Sequence, residues 1–338
     1  MDSLQLGLFV AGGVVLFGVV VYNIWIVRRS TPRQADRREP SVAPETQDAT
    51  PALDAAQLPS APQAAQGRLD ARIDSLIPIA LDEPVSGETL LAHLPATHRI
   101  GSKPYVIEAH HTLTDRWEPP QPNRHYDACR AGVQLANRAG ALTQVEFSEF
   151  VIKTQAFADA IGGNARSPDM LEEVARAVEL DRFAAEHDMQ LALNLLARAT
   201  PWSLGFINQQ AARLGFVPAA VAGRMVLPAP QAGAPHLVEL AYDPQVALSD
   251  NRDNIPIYEI SLSLDVPQVS PQANAFEHLL QATLSLAESM DGMPTDPAGQ
   301  PLTGQALDEI RAGLAVFYKA LIKRQLPAGA PITRRLFS

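Results

Sequence analysis

Two 17-residue segments of this chain share one pattern of apolar and small residues, 129 positions apart. They are "FSEFVIKTQAFADAIGG" at 147–163 and "FEHLLQATLSLAESMDG" at 276–292. Apolar residues recur at i, i+3, i+4 and i+7 in both, which predicts two amphipathic helices, each with one buried face. Any two amphipathic helices share this period, so the flanking sequence decides between coincidence and an internal repeat.

The flanks favour an internal repeat. Each helix follows an alternating segment typical of a strand, "CRAGVQLAN" in one case and "YEISLSLDV" in the other. Each is followed by a second amphipathic segment, with Ser167 or Thr303 as the expected N-cap. We therefore predict that residues 70–186 are a degenerate copy of residues 187–325.

The second half gives the clearer order of elements. Its pattern predicts, in chain order, a strand at 189–199, a helix at 202–215, strands at 223–229, 236–242 and 257–266, a helix at 272–290, a hairpin, and a helix at 304–324. Strands outnumber long crossovers, and two of them are close neighbours. The predicted fold class is α+β, with a mainly antiparallel sheet and helices packed on one of its faces.

The N-terminal segment predicts a membrane anchor at residues 1–28. No charged residue occurs from Ser3 to Val27, a run of 25 residues that would span about 37 Å as a helix. Arg28 and Arg29 follow it, and further arginines follow them. The acidic start and the absence of small residues at the exit argue against a cleaved signal peptide. The arginine bias predicts a periplasmic N-terminus and cytoplasmic C-terminal domains.

Two further segments are predicted to lack fixed structure. Residues 29–69 hold six prolines and few large apolar residues, so burial cannot offset the ordering entropy. They are interpreted as a disordered linker. Residues 326–338 are predicted to form a flexible C-terminal tail.

Composition narrows the class of function. The net charge of −10 disfavours nucleic acid as a partner. The single cysteine, Cys129, excludes an internal disulfide, fits a reducing compartment, and is interpreted as a small core residue. No phosphate-binding loop, nucleophile elbow or zinc-protease motif occurs, and the adjacent His110 and His111 would face opposite sides of a strand. From the sequence we therefore expect a protein that is not an enzyme and that has no cofactor, metal site or small-molecule substrate.

The organisation resembles that of the ZipA family, bacterial cell-division proteins that link the FtsZ ring to the inner membrane. The resemblance begins with the single predicted span, the arginines and the Pro/Gln-containing linker. It continues in "LNLLARATPWSLGFINQQAARLGF", "EISLSLDVPQVSPQANAFEHLLQATLSLAESMDG" and "PLTGQALDEIRAGLAVFY". It covers about 135 residues of the C-terminal half, while the first half and the short linker depart from better-known members.

The resemblance implies a binding site for the C-terminal tail of FtsZ, a tubulin-like GTPase, on the sheet face that the helices leave open. Carried to this sequence, it implies a groove formed by these residues: Leu193, Leu195, Met225, Leu227, Ala241, Ser261 and Ser263. Alternation within the strand places Ile260, Leu262 and Leu264 in the core, opposite Ser261 and Ser263. For the first strand, alternation leaves open whether Leu191, Leu193 and Leu195 face the groove or the core.

The expected function is a non-enzymatic anchor at the division site, held by inner-membrane lipids through its N-terminal helix, that binds the FtsZ tail and stabilises or cross-links FtsZ filaments. The alternative is a membrane-tethered adaptor or scaffold that binds another peptide of a cell-envelope complex. Loss or retention of binding when the last residues of FtsZ are removed would separate the two.

Overall fold

The computed structural model describes residues 68–231, 233–249 and 254–338, which form two compact units. The N-terminal unit comprises residues 68–188 together with the C-terminal segment Pro331–Ser338, and the C-terminal unit comprises Met189–Ala330. The predicted anchor, 1–28, and all but the last two residues of the predicted linker lie outside the described residues. Within the described ranges, no helix has the length and apolar character needed to span a bilayer.

The N-terminal unit contains a sheet with strand order β2-β3-β5-β1-β8, in which β4 pairs with β3. Every described pairing in this sheet is antiparallel. The strands and helices of the unit are β1 (Asp74–Ser86), α1 (Gly87–His93), β2 (Arg99–Ile100), β3 (Lys103–His111), β4 (Arg116–Glu118), β5 (His125–Gln134), β6 (Ala136–Asn137), β7 (Gly140–Ala141), α2 (Gln144–Ala160), β8 (Gly163–Ala165) and α3 (Met170–Glu186).

Helix α2 packs on one face of this sheet because its apolar residues lie on one side. It begins with a capping box, in which Thr143 accepts from the Glu146 amide and Glu146 reaches back to the Thr143 amide. The ring of Phe150 contacts Tyr105 of β3 edge to face, 5.9 Å between centroids. Helix α3 begins at Asp169, which accepts from two backbone amides, rather than at the predicted cap Ser167.

The C-terminal unit contains a second antiparallel sheet, with strand order β10-β11-β12-β13-β9-β14. Its strands and helices are β9 (Gln190–Ala197), α4 (Leu204–Arg213), β10 (Val217–Pro218), β11 (Arg224–Leu227), β12 (Val238–Ala241), α5 (Pro244–Leu248), β13 (Glu259–Asp265), α6 (Ala275–Met290), β14 (Gly292–Thr295) and α7 (Gly304–Lys323). The predicted mixed α+β class with antiparallel sheets is confirmed.

Helix α6 contacts β9, β12, β13 and β14 on one face of this second sheet, and α4 contacts α6. Trp202 fixes the turn between β9 and α4, because its buried indole Nε1 donates to the Met290 carbonyl at 2.8 Å. Helix α7 is capped by Thr303, as predicted, and Arg311 of α7 pairs with Glu277 of α6 at 2.9 Å.

Four neighbouring strands of the first sheet correspond one to one to four of the second. The order β3-β5-β1-β8 in the first sheet matches the order β12-β13-β9-β14 in the second. The aligned helix residues have matching burial: Phe147 and Phe276 are buried, and so are Thr154 and Thr283. Gly163 of β8 and Gly292 of β14 both lie on an edge strand, against β1 and β9 respectively, where an added Cβ would lie within 3 Å of an Ile79 or a Leu195 side-chain atom.

The C-terminal segment differs from the predicted flexible tail. Residues Pro331–Leu336 form helix α8, and the side chains of Leu336 and Phe337 are buried. The Arg335 guanidinium pairs with Asp74 of the N-terminal unit at 2.5 Å. Sequence reasoning missed this order because the contacts that fix the segment join it to residues more than 200 positions earlier.

Candidate functional site

Strand β13 defines the two faces of the second sheet. Ile260, Leu262 and Leu264 alternate along it, are at most 1% exposed, and face the helices. Ser261 and Ser263 lie between them and are half-buried on the opposite face. The alternation therefore placed Ser261 and Ser263 correctly on the face that α6 does not cover, which we call the open face.

The first-strand leucines do not line the open face, which corrects the assignment carried over from the family. Leu195 of β9 lies opposite Ile260, and Leu193 lies opposite Leu262. Directly opposed residues of an antiparallel pair lie on the same face of the sheet. Leu193 and Leu195 are therefore core residues beneath the helices, and both are buried.

Met225 and Leu227 were also assigned to the wrong face. In the register of β11 with β12, Met225 lies opposite Leu240 and Leu227 lies opposite Val238. Both partners are fully buried on the helix-facing side, and Met225 itself is only 3% exposed. The interpretation of this pair as groove residues is thus wrong, because their partners across the ladder place both on the helix-facing side, where Met225 is buried and Leu227 is half-buried.

The centre of the open face is built from small side chains on three adjacent strands. Ala241 of β12 lies opposite Ser261 of β13, and Ser263 of β13 lies opposite Ala192 of β9. All four are half-buried. Because none reaches beyond its Cβ or Oγ, a ligand can approach the strand backbone closely at these four positions. We call these four residues the small-residue patch.

Larger apolar side chains flank the small-residue patch on the same face. Leu196 of β9 pairs with Met293 of β14 on one side, and Val226 of β11 pairs with Val217 of β10 on the other. Sequence reasoning missed these four flanking residues, together with Ala192, because the face on which each lies is determined by pairing with a neighbouring strand. The alternation of β13 identifies the two faces, and the pairing register then assigns the residues of the neighbouring strands to them.

Two polar side chains stand within the open face, directly beside the small-residue patch. Glu239 lies opposite Ser263, and Asn194 lies opposite Ser261. Arg224 donates to Glu239 at 2.8 Å, and the Asn194 amide donates to Glu259 at 2.6 Å. Arg224 is half exposed, so this ion pair contributes little to stability and both groups stay available to a ligand. The face therefore offers apolar side chains interspersed with polar and charged ones, a mixture that suits a short peptide carrying both kinds of group.

The structure also places the other residues that the sequence analysis considered, Cys129, His110 and His111. Cys129 is buried in the first sheet, and burial, with a smaller contribution from Asp127, raises its pKa to about 12. His110 contacts Asp127 and Asp115, whereas the His111 ring accepts from the Thr114 amide. Across the described ranges, no group of three or more His, Cys, Asp and Glu side chains is arranged to hold a metal ion.

Comparison with known proteins yields a match to one family model over part of the chain. Residues 248–313, which span β13, α6, β14 and the first half of α7, match the family model described as "ZipA, C-terminal FtsZ-binding domain". The matched segment contains Ser261, Ser263 and Met293 of the open face. No curated protein matches the chain significantly. Within the C-terminal unit, residues 248–313 are therefore similar to the C-terminal domain of the ZipA family.

Proposed function

We propose that this protein is a division-site anchor whose C-terminal unit binds the C-terminal tail of FtsZ on the open face. The observation that carries the proposal is that the segment matched by the family model contributes residues to the open face. The matched segment supplies strand β13, and β13 supplies two of the four residues in the small-residue patch.

The chemistry of the open face suits a short peptide with apolar side chains. Leu196, Met293 and Val226 offer apolar contact on either side of the small-residue patch, where peptide side chains can approach the sheet closely. Glu239, which lies opposite Ser263 beside the patch, can pair with peptide amides or cations. A tail that is disordered when free loses entropy on binding, so we expect micromolar affinity, about −8 kcal/mol.

Modest single-site affinity is sufficient if many copies act together. We propose that residues 1–28 hold the chain in the inner membrane, with the arginines that follow on the cytoplasmic side. Many anchored chains facing many tails on one FtsZ filament would then bind with an avidity far above that of one site. The same arrangement would stabilise or cross-link filaments at the membrane.

We further propose that residues 70–186 arose by internal duplication of the ZipA-type unit. The common strand order and the paired positions of Phe147 and Phe276 support this proposal. On this account the N-terminal unit is a copy with a different surface and not a second anchor module.

Co-sedimentation tests the proposed partner. The full chain, reconstituted in lipid vesicles, is mixed with FtsZ filaments or with filaments of FtsZ that lacks its C-terminal tail. We expect vesicles to sediment with intact filaments only. Equal sedimentation with tail-deleted filaments would move the interaction to the FtsZ body, and no sedimentation with either would favour a different envelope partner.

A further inference from the structure

The register of the two sheets identifies which residues of the N-terminal unit stand where the small-residue patch stands in the C-terminal unit. Strand β5 pairs with β1 and β3 as β13 pairs with β9 and β12. Following the ladders from the aligned glycines Gly163 and Gly292, Gly132 corresponds to Ser263, Arg130 to Ser261 and Glu108 to Ala241. The face that is open in the C-terminal unit can thus be compared residue by residue with its counterpart.

In the N-terminal unit this face is occupied by residues 68–69 of the chain itself. The buried Glu108 carboxylate accepts hydrogen bonds from the backbone amides of Arg68 and Leu69, the second at 3.0 Å. The Leu69 side chain is buried over Gly132, where an added Cβ would lie 2.3 Å from one of its methyl groups. A backbone segment and a leucine therefore rest where the C-terminal unit has its small-residue patch.

The C-terminal segment, Pro331–Ser338, occupies the neighbouring end of the same face. Asp74 and Gln134 lie opposite each other there, and both are buried. Asp74 receives the Arg335 guanidinium through two hydrogen bonds, at 2.5 and 3.0 Å, and Gln134 donates to the Arg335 carbonyl at 2.8 Å. The adjacent Leu336 and Phe337 are buried.

Buried polar side chains take part in holding this segment, as they do with a bound peptide. The face is lined by buried Asp74, Glu108 and Gln134, which hold backbone groups and two guanidinium groups, that of Arg335 at Asp74 and that of Arg130, from the sheet itself, at Glu108. Such polar anchoring fixes orientation, as in peptide-recognition sites. The C-terminal segment is also separated in sequence from the rest of its unit by the whole C-terminal unit, Met189–Ala330.

We propose that this face of the N-terminal unit is a peptide-docking site whose resident ligand is the chain's own C-terminal segment, 331–338, and that this ligand exchanges with peptides supplied in trans. The ligand chemistry is a short helix with an arginine followed by two apolar residues. The proposal does not depend on which partner binds the C-terminal unit, because it concerns contacts made within one chain.

The test uses the full chain, folded before it is cut. A protease site is inserted after Ala330, the purified protein is nicked, and a fluorescently labelled peptide with the sequence of residues 331–338 is added. We expect the peptide to replace the resident segment, so that fluorescence anisotropy rises and saturates. Unlabelled wild-type peptide and its Pro331→Ala control, altered at an exposed position, should compete equally. The Arg335→Ala peptide should require at least about tenfold higher concentration.

Three outcomes would overturn the proposal. The first is a resident segment that never exchanges with labelled peptide, and the second is aggregation of the chain on nicking. Both would make residues 331–338 a permanent part of the core. The third is equal competition by the Arg335→Ala peptide, which would show that the Asp74 contact does not determine docking. None of these outcomes bears on binding of the FtsZ tail, which is measured separately by co-sedimentation.

Discussion

The substitutions Met225→Glu and Ala241→Glu test the assignment of faces, since both residues were expected in one groove and the structure separates them. Met225 is 3% exposed and lies opposite the fully buried Leu240, beneath the helices. Replacing it removes about 1.5–3 kcal/mol of apolar burial and places a carboxyl group in an apolar site. We expect a total loss of about 3–5 kcal/mol from an unfolding free energy of about 5–15 kcal/mol.

Ala241→Glu should behave in the opposite way. Ala241 is half-buried on the open face, opposite Arg224, so a glutamate there can extend into solvent beside a cation. Its effect on stability should be within about 0.5 kcal/mol. A bound peptide would cover the new carboxylate, so affinity for the FtsZ tail should fall at least about tenfold, or about 1.4 kcal/mol.

The two variants are compared in the full chain by thermal unfolding and by fluorescence titration with an FtsZ-tail peptide. The Met225→Glu transition that belongs to the C-terminal unit should move down by roughly 10 °C or more. Burial raises the pKa of the new glutamate in the folded state, so this loss should be larger at neutral pH than at pH 5. A Met225→Glu chain of normal stability that binds peptide as weakly as Ala241→Glu would refute the assignment.

Three further predictions follow from other parts of the structure. Cys129, whose pKa is raised to about 12 by burial, should resist alkylation at pH 8 in the folded chain and react fully in guanidinium; rapid reaction of the folded chain would show that the first sheet opens easily. Phe147→Ala and Phe276→Ala should each cost about 3–5 kcal/mol in denaturant unfolding, and a cost below about 1 kcal/mol at either position would argue against equivalent core sites. A reporter that fluoresces only in the cytoplasm, fused after Ser338, should light up in cells, whereas activity of a periplasm-specific reporter there would reverse the proposed topology.

The sequence predicted the elements of the C-terminal unit well because its hydrophobic periods are strong. The alternation of β13 also assigned its two faces correctly, since polar Ser261 and Ser263 stand between apolar neighbours. Strand β9 offered no such contrast: Leu191, Leu193, Leu195 and Leu196 place apolar side chains on both faces. Only pairing with β13 fixes which leucines are core, and a pairing register is not visible in one strand alone.

The segments that cover one face of the N-terminal unit could not be predicted from the sequence, for a different reason. Arg68 and Leu69 end a proline-rich segment, and Leu336 and Phe337 stand in the last eight residues, so local composition predicted disorder at both places. Their order comes from long-range contacts with Glu108, as well as with Gly132, Asp74 and Gln134. Long-range contacts of this kind leave no periodic pattern of apolar residues in the local sequence.

Photo-crosslinking from Ser263 tests the central claim most directly. A photoreactive amino acid is placed at Ser263, in the small-residue patch, or at Leu284, which is 49% exposed on helix α6 on the other side of the sheet. The full chain is then irradiated with FtsZ. The account predicts a crosslink from position 263 that maps to the FtsZ tail, and none from position 284. A tail crosslink from position 284 with none from position 263 would contradict the account, because FtsZ would then bind the helical side of the C-terminal unit.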